Sequence, residues 1–260
     1  MRLPVLRTFF SVAASVGLLY KSVNPADWAP AFHYLPRPAI QLAPPRPWIA
    51  FTFDDGPHPK MTERLLAVLD QEKVPATFFV VGKMADRYPY LVQEISSAGH
   101  EVSNHSYNHL RFSELSPREV LGELSRTREL IRRLTGKDTC YYRPPGGGFS
   151  HSVLRAAAHA GYRMVLWSTL TKDVEGASTR VITNRIIGGA QDGAIILMHS
   201  GMQTTLEALP PAIEALRERG YQFVTVSTLL NRSAIKPAPS PAPAVPWHFA
   251  ARQAAPPLSD

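Results

Sequence analysis

Two carboxylates stand side by side where a β-like run ends, in the segment FTFDDGP at residues 51–57. Successive side chains of a strand point to opposite faces, so adjacent carboxylates reach one site only where the strand ends and bends. Gly56-Pro57 supplies that bend. Crowded carboxylates raise one another's pKa unless a cation or a division of roles relieves them. We therefore interpret Asp54 and Asp55 as one metal ligand and one proton acceptor, against the alternative of a solvated Asp-Gly turn.

Two histidines four residues apart stand in the segment HSYNH at residues 105–109. This spacing predicts that both imidazoles lie on one face of a helical turn. Two neutral imidazoles and one carboxylate make a three-ligand site that keeps a position open for water, as in many catalytic zinc sites. Taken alone the pair is a weak signal, because surface histidines also occur at this spacing by chance.

The elements that must position these residues alternate along the chain. We predict strands at residues 48–53, 76–81, 100–104, 139–142, 163–168, 194–199 and 221–226. We predict helices at residues 62–71, 90–98, 117–134, 152–160, 179–190 and 206–219. This alternation predicts an α/β fold with a parallel sheet. A closed or nearly closed barrel and an open doubly wound sheet both fit it, and periodicity does not separate them.

The helix predicted at residues 117–134 has the clearest boundary signals. Ser116 is a capping residue, Pro117 suits the first helical position, and Glu119 completes a capping box. Gly136 follows the last turn and is expected to stop the helix.

The unusual polar residues all follow predicted strands. In a parallel α/β architecture the carboxyl ends of the strands share one face, which is where such folds build active sites. We expect seven residues to converge there: Asp54, Asp55, His105, His109, Arg143, Asp173 and His199.

The chain resembles the polysaccharide deacetylase family, also called the NodB-homology or carbohydrate esterase family 4 domain. The matching segments, in the family's order, are TFDDGP at 52–57, HSYNH at 105–109, RPPGG at 143–147, TKD at 171–173 and LMH at 197–199. The resemblance runs from about residue 48 to residue 230. It implies a distorted (β/α) barrel of about seven parallel strands and a divalent metal, with Zn²⁺ preferred and Co²⁺ as the alternative. It also implies hydrolysis of acetyl groups on N-acetylglucosamine-type polymers or on acetylated xylan.

The resemblance implies a metal site and a base. Asp55, His105 and His109 match the metal ligands. Asp54 matches the general base that activates the attacking water, and Arg143 matches the arginine that orients this base.

The resemblance also implies an acid and an acetyl pocket. His199 matches the acid that protonates the leaving amine, and Asp173 matches the aspartate that keeps this histidine charged. The backbone amide of Gly146 stands at the family's oxyanion position. Leu197 matches the leucine that walls the acetyl pocket.

Two family aromatics are missing from this sequence. Gly146 stands where the family usually has tyrosine or phenylalanine, and the fourth motif, usually DxxDW, reads LTKDV at residues 170–174. The second aspartate of that motif remains as Asp173, whereas Val174 replaces the tryptophan. These changes put the shape of the acetyl pocket and the substrate range in doubt. Trp167 is either a core residue or a replacement for the missing aromatic.

Composition and the chain ends bear on location. An apolar stretch at residues 8–20 follows Arg2 and Arg7 and matches a signal peptide, with an uncleaved anchor or a stray cytoplasmic helix as alternatives. We predict a signal peptide or anchor at 1–20, a Pro-rich linker at 21–46, a deacetylase domain at 47–232 and a Pro/Ala-rich disordered tail at 233–260. We expect an exported protein, either extracellular, periplasmic or membrane-anchored at the cell envelope. The single cysteine, Cys140, excludes an intrachain disulfide.

The predicted function is a metal-dependent hydrolase. It would remove N-acetyl groups from an N-acetylglucosamine-containing polysaccharide, with peptidoglycan preferred and a chitin-like polymer second. A net charge of +7 suits an anionic envelope polymer, and no Lys/Arg run or basic-aromatic pattern supports nucleic acid. The alternatives are an O-acetyl xylan esterase, a small-amide hydrolase of the same fold, and a non-catalytic glycan-binding relative.

Overall fold

The computed structural model describes residues 46–232 of the 260-residue chain. The predicted signal peptide or anchor at 1–20, the tail at 233–260 and all of the 21–46 linker except Arg46 lie outside these residues. No helix within the described part is long and apolar enough to cross a membrane.

Residues 46–232 form eight strands and eight α-helices. The strands are β1 (Trp48–Asp54), β2 (Thr77–Val80), β3 (Glu101–Asn104), β4 (Tyr141–Tyr142), β5 (Arg163–Met164), β6 (Thr169–Leu170), β7 (Ala194–His199) and β8 (Gln222–Phe223). The helices are α1 (Met61–Gln71), α2 (Gly82–Arg87), α3 (Pro89–Ser97), α4 (Pro117–Thr135), α5 (His151–His159), α6 (Thr179–Gly188), α7 (Gln203–Glu218) and α8 (Val226–Leu230). Short 3₁₀ turns lie at Phe112–Glu114, Pro145–Gly147 and Asp173–Glu175.

The strands form one parallel sheet in the order β5-β4-β3-β2-β1-β7-β6, with β8 paired to the start of β1. The edge strands β5 and β6 are joined by residues 165–168, and within the described residues no ladder connects them. The sheet is therefore curled into an open barrel. This confirms the predicted α/β class and the distorted barrel of parallel strands.

The central strand β1 is buried on both faces, as a parallel sheet covered by helices requires. Ile49, Phe51 and Phe53 belong to the main hydrophobic core, which also contains residues of α1 and α7. Ala50 faces the opposite way and packs among Phe79 and other residues of a second core inside the curl. Because strand side chains alternate, Thr52 and Asp54 continue this inner row toward the carboxyl end of the sheet.

The predicted boundary signals of the 117–134 helix are confirmed in α4. The Ser116 side chain and Glu119 form the reciprocal capping box, and Pro117 is the first helical residue. Gly136 ends the helix in the left-handed conformation, with φ of 70°.

The single strand predicted at residues 163–168 is wrong, because β5 ends at Met164 and β6 begins at Thr169. Between them the carbonyls of Val165 and Leu166 accept hydrogen bonds from the guanidinium of Arg143. Two short helices were also not predicted, α2 and α8. The second begins at Val226 because the Thr225 side chain caps it, which cuts short the strand predicted at 221–226.

Candidate active site

The ends of β1 and β7 bring the first and last motifs together. Asp54 and His199 are register partners in this parallel pair. The amide and hydroxyl of Ser200 donate to the carbonyl of Asp54, at 3.1 and 2.9 Å. A Cβ on Gly56 would lie 2.5 Å from Ser200 Oγ, so only glycine allows this approach. The bend predicted after Asp54 is therefore present, and Asp55 has a positive φ of 69°.

Asp55, His105 and His109 form a cluster that could hold a metal ion, because their ligand atoms all lie within 4.8 Å of one another. Asp55 Oδ1 lies 3.0 Å from His109 Nε2 and 3.3 Å from His105 Nε2. His105 Nδ1 lies 2.9 Å from the carbonyl oxygen of Arg143 and can only donate to it. In the neutral imidazole Nε2 then carries a lone pair that faces a carboxylate oxygen. A cation fits between two such acceptors, and the carbonyl partner is typical of metal-binding histidines.

The electrostatics of this cluster favour a negative carboxylate beside positive charge. Burial raises the pKa of Asp55, but His105 and His109 outweigh it when their Nε2 atoms carry protons and hold the pKa far below its usual range. The hydrogen bond with Asp55 raises the pKa of His109 above its ordinary value, although burial lowers it. The cluster therefore favours a positive charge beside the Asp55 carboxylate, which either a proton or a metal ion can supply.

The helical turn predicted for HSYNH is wrong, although the two imidazoles do meet. Residues 105–109 form a loop, in which Ser106 and His109 have positive φ values of 64° and 60°. The amide of His109 donates to Ser106 Oγ at 3.0 Å, and the two rings lie 5.0 Å apart. The loop converges because side chains replace the hydrogen bonds that a helix would supply.

Residues outside the motif hold this loop. The carboxylate of Glu123 accepts from the backbone amides of Tyr107 and Asn108, at 3.0 and 2.6 Å. Asn104 accepts from the amide of Ser106 through its side-chain oxygen. The side-chain Nδ2 of Asn104 donates to the backbone carbonyl of Leu124 in α4. Sequence reasoning missed Glu123, which is one of several exposed-looking charges on an amphipathic helix.

Arg143 is fully buried and holds Asp54. Its Nη1 donates to Asp54 Oδ1 and to Thr52 Oγ1, both at 2.8 Å. The guanidinium lies 4.2 Å from the ring centroid of Phe79 and 5.7 Å from that of Trp167. Burial lowers the pKa of Arg143 while Asp54 opposes this, and an arginine stays charged in a protein. Asp54 is thereby oriented, with its second oxygen 3.8 Å from His105 Nε2.

His199 and Asp173 form a second oriented pair. His199 Nδ1 lies 2.8 Å from Asp173 Oδ1, while the backbone amide of His199 and the hydroxyl of Thr205 donate to Asp173 Oδ2. Burial lowers the pKa of His199, but the hydrogen bond and charge of Asp173, together with the charges of Asp55 and Asp54, outweigh this and raise it above its ordinary value. Burial raises the pKa of Asp173, and the hydrogen bonds from His199 and Thr205 bring it below its usual range. The pair therefore favours an imidazolium beside a carboxylate, and His199 Nε2 lies 4.0 Å from Asp55 Oδ2.

The structure joins all seven predicted side chains into one network, and it places the other two predicted residues beside that network. Gly146 lies in the exposed turn that follows Arg143, with φ of 65°. Leu197 is a buried residue of β7, two positions before His199, and pairs with Leu170 of β6. Their roles at the oxyanion position and in the acetyl pocket remain predictions.

Trp167 is half-buried and packs against the third motif. A Cβ on Gly147 would lie 2.7 Å from the Trp167 ring. Val174, at the position of the missing family tryptophan, is 51% exposed. Trp167 therefore lies against the loop that carries Gly146, and not in the hydrophobic core.

Two cavities differ in their relation to these residues. A groove of about 380 Å³ is lined by Asp55 and His109 together with His58, Val81, Lys83, Met84 and Asn108. A cavity of about 330 Å³ lies at the amino ends of β3 and β4, near His100 and Cys140, and contains none of the predicted site residues. In parallel α/β folds the carboxyl ends of the strands carry the chemistry, so the groove is the cavity that belongs to the site.

Comparison with known proteins agrees with this geometry. A family model described as Polysaccharide deacetylase matches residues 41–165, which include the first three motifs. A peptidoglycan-N-acetylglucosamine deacetylase of Bacillus cereus is 38% identical over 188 residues, covering 70% of this chain and 88% of the relative. The peptidoglycan-N-acetylmuramic acid deacetylase PdaC of Bacillus subtilis is 35% identical over 181 residues, covering 70% of this chain and 38% of the relative.

Solved structures show the same fold. Peptidoglycan deacetylase PdaC from Bacillus subtilis superposes with a TM-score of 0.68 and 33% identity, covering 74% of this chain and 94% of that chain. BA3943 from Bacillus anthracis, described as a CE4 family pseudoenzyme, superposes with a TM-score of 0.68 and 29% identity, covering 72% of this chain and 66% of that chain. The proteins that share this fold therefore include both a named deacetylase and a pseudoenzyme.

Proposed function

The chain belongs to the polysaccharide deacetylase family, and from this membership we propose that it removes N-acetyl groups from the glycan strands of peptidoglycan. The observation that carries the proposal is the buried Arg143–Asp54 pair beside the Asp55, His105 and His109 cluster. The Arg143–Asp54 pair supplies an oriented carboxylate, and the cluster supplies three metal-ligand atoms.

Asp55, His105 and His109 are the residues that would hold a divalent metal, with Zn²⁺ proposed first and Co²⁺ second. When bound, such an ion polarises the acetyl carbonyl and makes water acidic enough to attack near neutral pH. The donor set of one carboxylate and two imidazoles suits Zn²⁺ and also accepts Co²⁺.

Asp54 is the group that would take the proton from the attacking water. One of its oxygens is fixed by Arg143 at 2.8 Å, while the other faces His105. A carboxylate held in this way keeps one acceptor directed toward the cluster. General-base catalysis needs such geometry before it needs a particular pKa.

His199 is the group that would give a proton to the leaving amine. Because Nδ1 donates to Asp173, the proton on Nε2 is the one available to the site. An amine is a poor leaving group until it is protonated, so this pair suits an N-acetyl substrate. The amide of Gly146 and the side chain of Leu197 would complete the acetyl pocket.

Peptidoglycan is the preferred substrate for two reasons. The two relatives described above are named as peptidoglycan deacetylases. The net charge of +7 also suits an anionic wall polymer. We also propose that the chain is exported to the cell envelope, on the strength of the apolar segment at residues 8–20.

A pseudoenzyme relative makes a non-catalytic glycan-binding protein the second candidate. The altered fourth motif favours it, since Val174 replaces the family tryptophan. The intact set of base, acid and metal-ligand candidates favours the enzyme.

Acetate release tests the proposal. The full chain, supplied with Zn²⁺ or Co²⁺, is incubated with peptidoglycan, chitooligosaccharides and acetylxylan, and Asp54→Asn serves as the control. We expect acetate from peptidoglycan, absent with the variant. Acetate from chitooligosaccharides or acetylxylan alone would show that this polymer, and not peptidoglycan, is the substrate. Metal and glycan binding without acetate from any substrate would favour the binding protein.

A further inference from the structure

The groove beside the metal cluster has one side that no motif covers. Asp55 and His109 line one wall, and Val81, Lys83 and Met84 line the other. These last residues follow β2 and begin α2. Since the groove begins at the proposed metal ligands, a glycan that reaches the cluster lies along it.

The second wall of the groove is attached rigidly to the histidine loop. The backbone amides of Gly82 and Lys83 donate to the carbonyls of Ser106 and Tyr107, each at 2.9 Å. A Cβ on Gly82 would lie 2.4 Å from Thr127 Oγ1, so the backbone packs closely here. The backbone of Lys83 is therefore fixed relative to His105 and His109, and only its side chain is free to adapt.

Lys83 is the lysine of this groove, and its charge is not neutralised. It is exposed, and among residues 46–232 it forms no ion pair. The nearby carboxylates are engaged elsewhere. Glu123 accepts from the histidine loop, while Asp86 accepts from the hydroxyl of Tyr107 and lies 4.0 Å from Arg133.

The groove thus combines two apolar side chains with one lysine, beside His58, Asn108 and the two cluster residues. Val81 is buried, and the half-buried Met84 offers an apolar surface for the face of a sugar ring. Lys83 lines the same groove. Because Asp55 is used by the metal cluster, an anionic group of the ligand meets no competing negative charge at Lys83.

We propose that this groove binds a carboxylate carried by the glycan close to the reacting N-acetyl group, with Lys83 as its counter-ion. The inference rests on the proposed function and makes the substrate more specific. Muramic acid without a peptide carries a free lactyl carboxylate that glucosamine lacks, so the groove selects strands that contain muramic acid over neutral N-acetylglucosamine polymers. Where a peptide stem is attached, the lactyl carboxyl is an amide, and the carboxylates of the stem are the ones available to Lys83.

Steady-state kinetics of the metal-loaded full chain test this. The substrates are neutral chitooligosaccharides, muramic acid-containing oligosaccharides without peptide, and the same oligosaccharides with peptide stems. We expect Lys83→Gln to raise KM about two- to fivefold on the acidic substrates, the range of an exposed ion pair, and to leave chitooligosaccharides unaffected. At roughly 1 M salt the difference should vanish because screening is nearly complete.

Lys73→Gln is the matched control. It removes the same charge at the opposite end of β2, since Lys73 precedes this strand and Lys83 follows it. We expect no substrate-dependent change from this variant. Lys83→Glu should increase the discrimination beyond that of Lys83→Gln, because a like charge then faces the ligand carboxylate.

Each result decides the matter. Equal effects of Lys83→Gln on neutral and acidic substrates, or no effect on either, would overturn the proposal. An effect confined to substrates with peptide stems supports the carboxylate site and assigns the carboxylate to the peptide. If the wild-type chain releases no acetate, the proposed function fails on its own. Calorimetric binding of the same oligosaccharides to wild type and Lys83→Gln then still tests the groove without turnover.

Discussion

The site has a closed half, in which the carboxylates are buried, and an open half, in which the carboxylate is exposed. The two halves differ in the groups that face these carboxylates. In the closed half Asp54 and Asp173 are 3% and 0% exposed, and Arg143, His199 and Thr205 donate to them. In the open half the Asp55 side chain is 36% exposed and faces an imidazole nitrogen that carries a lone pair. Buried donors thus fix the orientation of Asp54 and Asp173, whereas a carboxylate that faces another acceptor, as Asp55 does, marks the place of a cation.

The largest expected effect separates the two halves by their functions. His105→Ala should weaken Zn²⁺ binding by more than about 100-fold, because loss of an outer partner alone costs 10- to 100-fold. Asp54→Asn should keep the metal and lower turnover by about 10²- to 10⁴-fold, the usual contribution of a general base. Metal content by mass spectrometry and acetate release measure the two quantities. Loss of metal from Asp54→Asn would show that Asp54 also contributes to metal binding, and that the two halves do not have separate functions.

The next effect tests whether the closed half depends on charge pairing. Arg143→Met should lower the free energy of unfolding by about 3–5 kcal/mol, because it leaves the buried carboxylate of Asp54 without a partner. In an Asp54→Asn background the same change should cost less. Arg132→Met is the control, since the Arg132–Glu129 pair is about 60% exposed at both residues and worth at most about 1 kcal/mol. Urea denaturation compares the wild type, the two single variants, the double variant and the Arg132→Met control, and equal costs of Arg143→Met in both backgrounds would show that packing, not charge, dominates.

A smaller effect concerns His199, the proposed acid of the closed half. Since Asp173 raises the pKa of His199, the protonated form persists to higher pH than in an isolated histidine. Asp173→Asn removes the negative charge beside His199, so the pKa of His199 falls. As pH rises, activity on an amide should therefore be lost at a lower pH than in the wild type. We expect kcat on the amide to drop about 100-fold, the lower end of what a general acid contributes.

An ester with a good leaving group provides the internal reference for this variant. Such a substrate does not need the proton of His199, so its alkaline limb should move less. Identical shifts with amide and ester would assign Asp173 a structural role only.

The sequence was sufficient to place most of the strands and to predict that the seven polar residues converge, for one physical reason. Strand periodicity and turn residues are local, and parallel topology brings every strand's carboxyl end to the same edge. The predictions of β1 and β7 and of the convergence of Asp54 with His199 followed from these rules and agree with the structure.

The parts that sequence reasoning missed are contacts between residues distant along the chain. Glu123 holds a loop 15–16 residues away, and Thr205 donates to a carboxylate 32 residues away. The carbonyls of Val165 and Leu166 turn to Arg143 and interrupt a predicted strand. No local pattern marks a residue for such a partner, so these contacts become visible only once the fold is known.

The smallest expected effect isolates one such contact, where Trp167 meets the third motif. Gly146 and Gly147 both have positive φ, at 65° and 73°, but a Cβ meets the Trp167 ring only at Gly147. Gly146→Ala should cost about 1 kcal/mol in unfolding free energy, from the left-handed backbone alone. Gly147→Ala should cost about 1–2 kcal/mol more, because the Trp167 ring must move. In a Trp167→Leu background the two alanine variants should become equal in urea denaturation, since the ring that distinguishes them is gone. A difference that persists there would mean that residues other than Trp167 brace this loop.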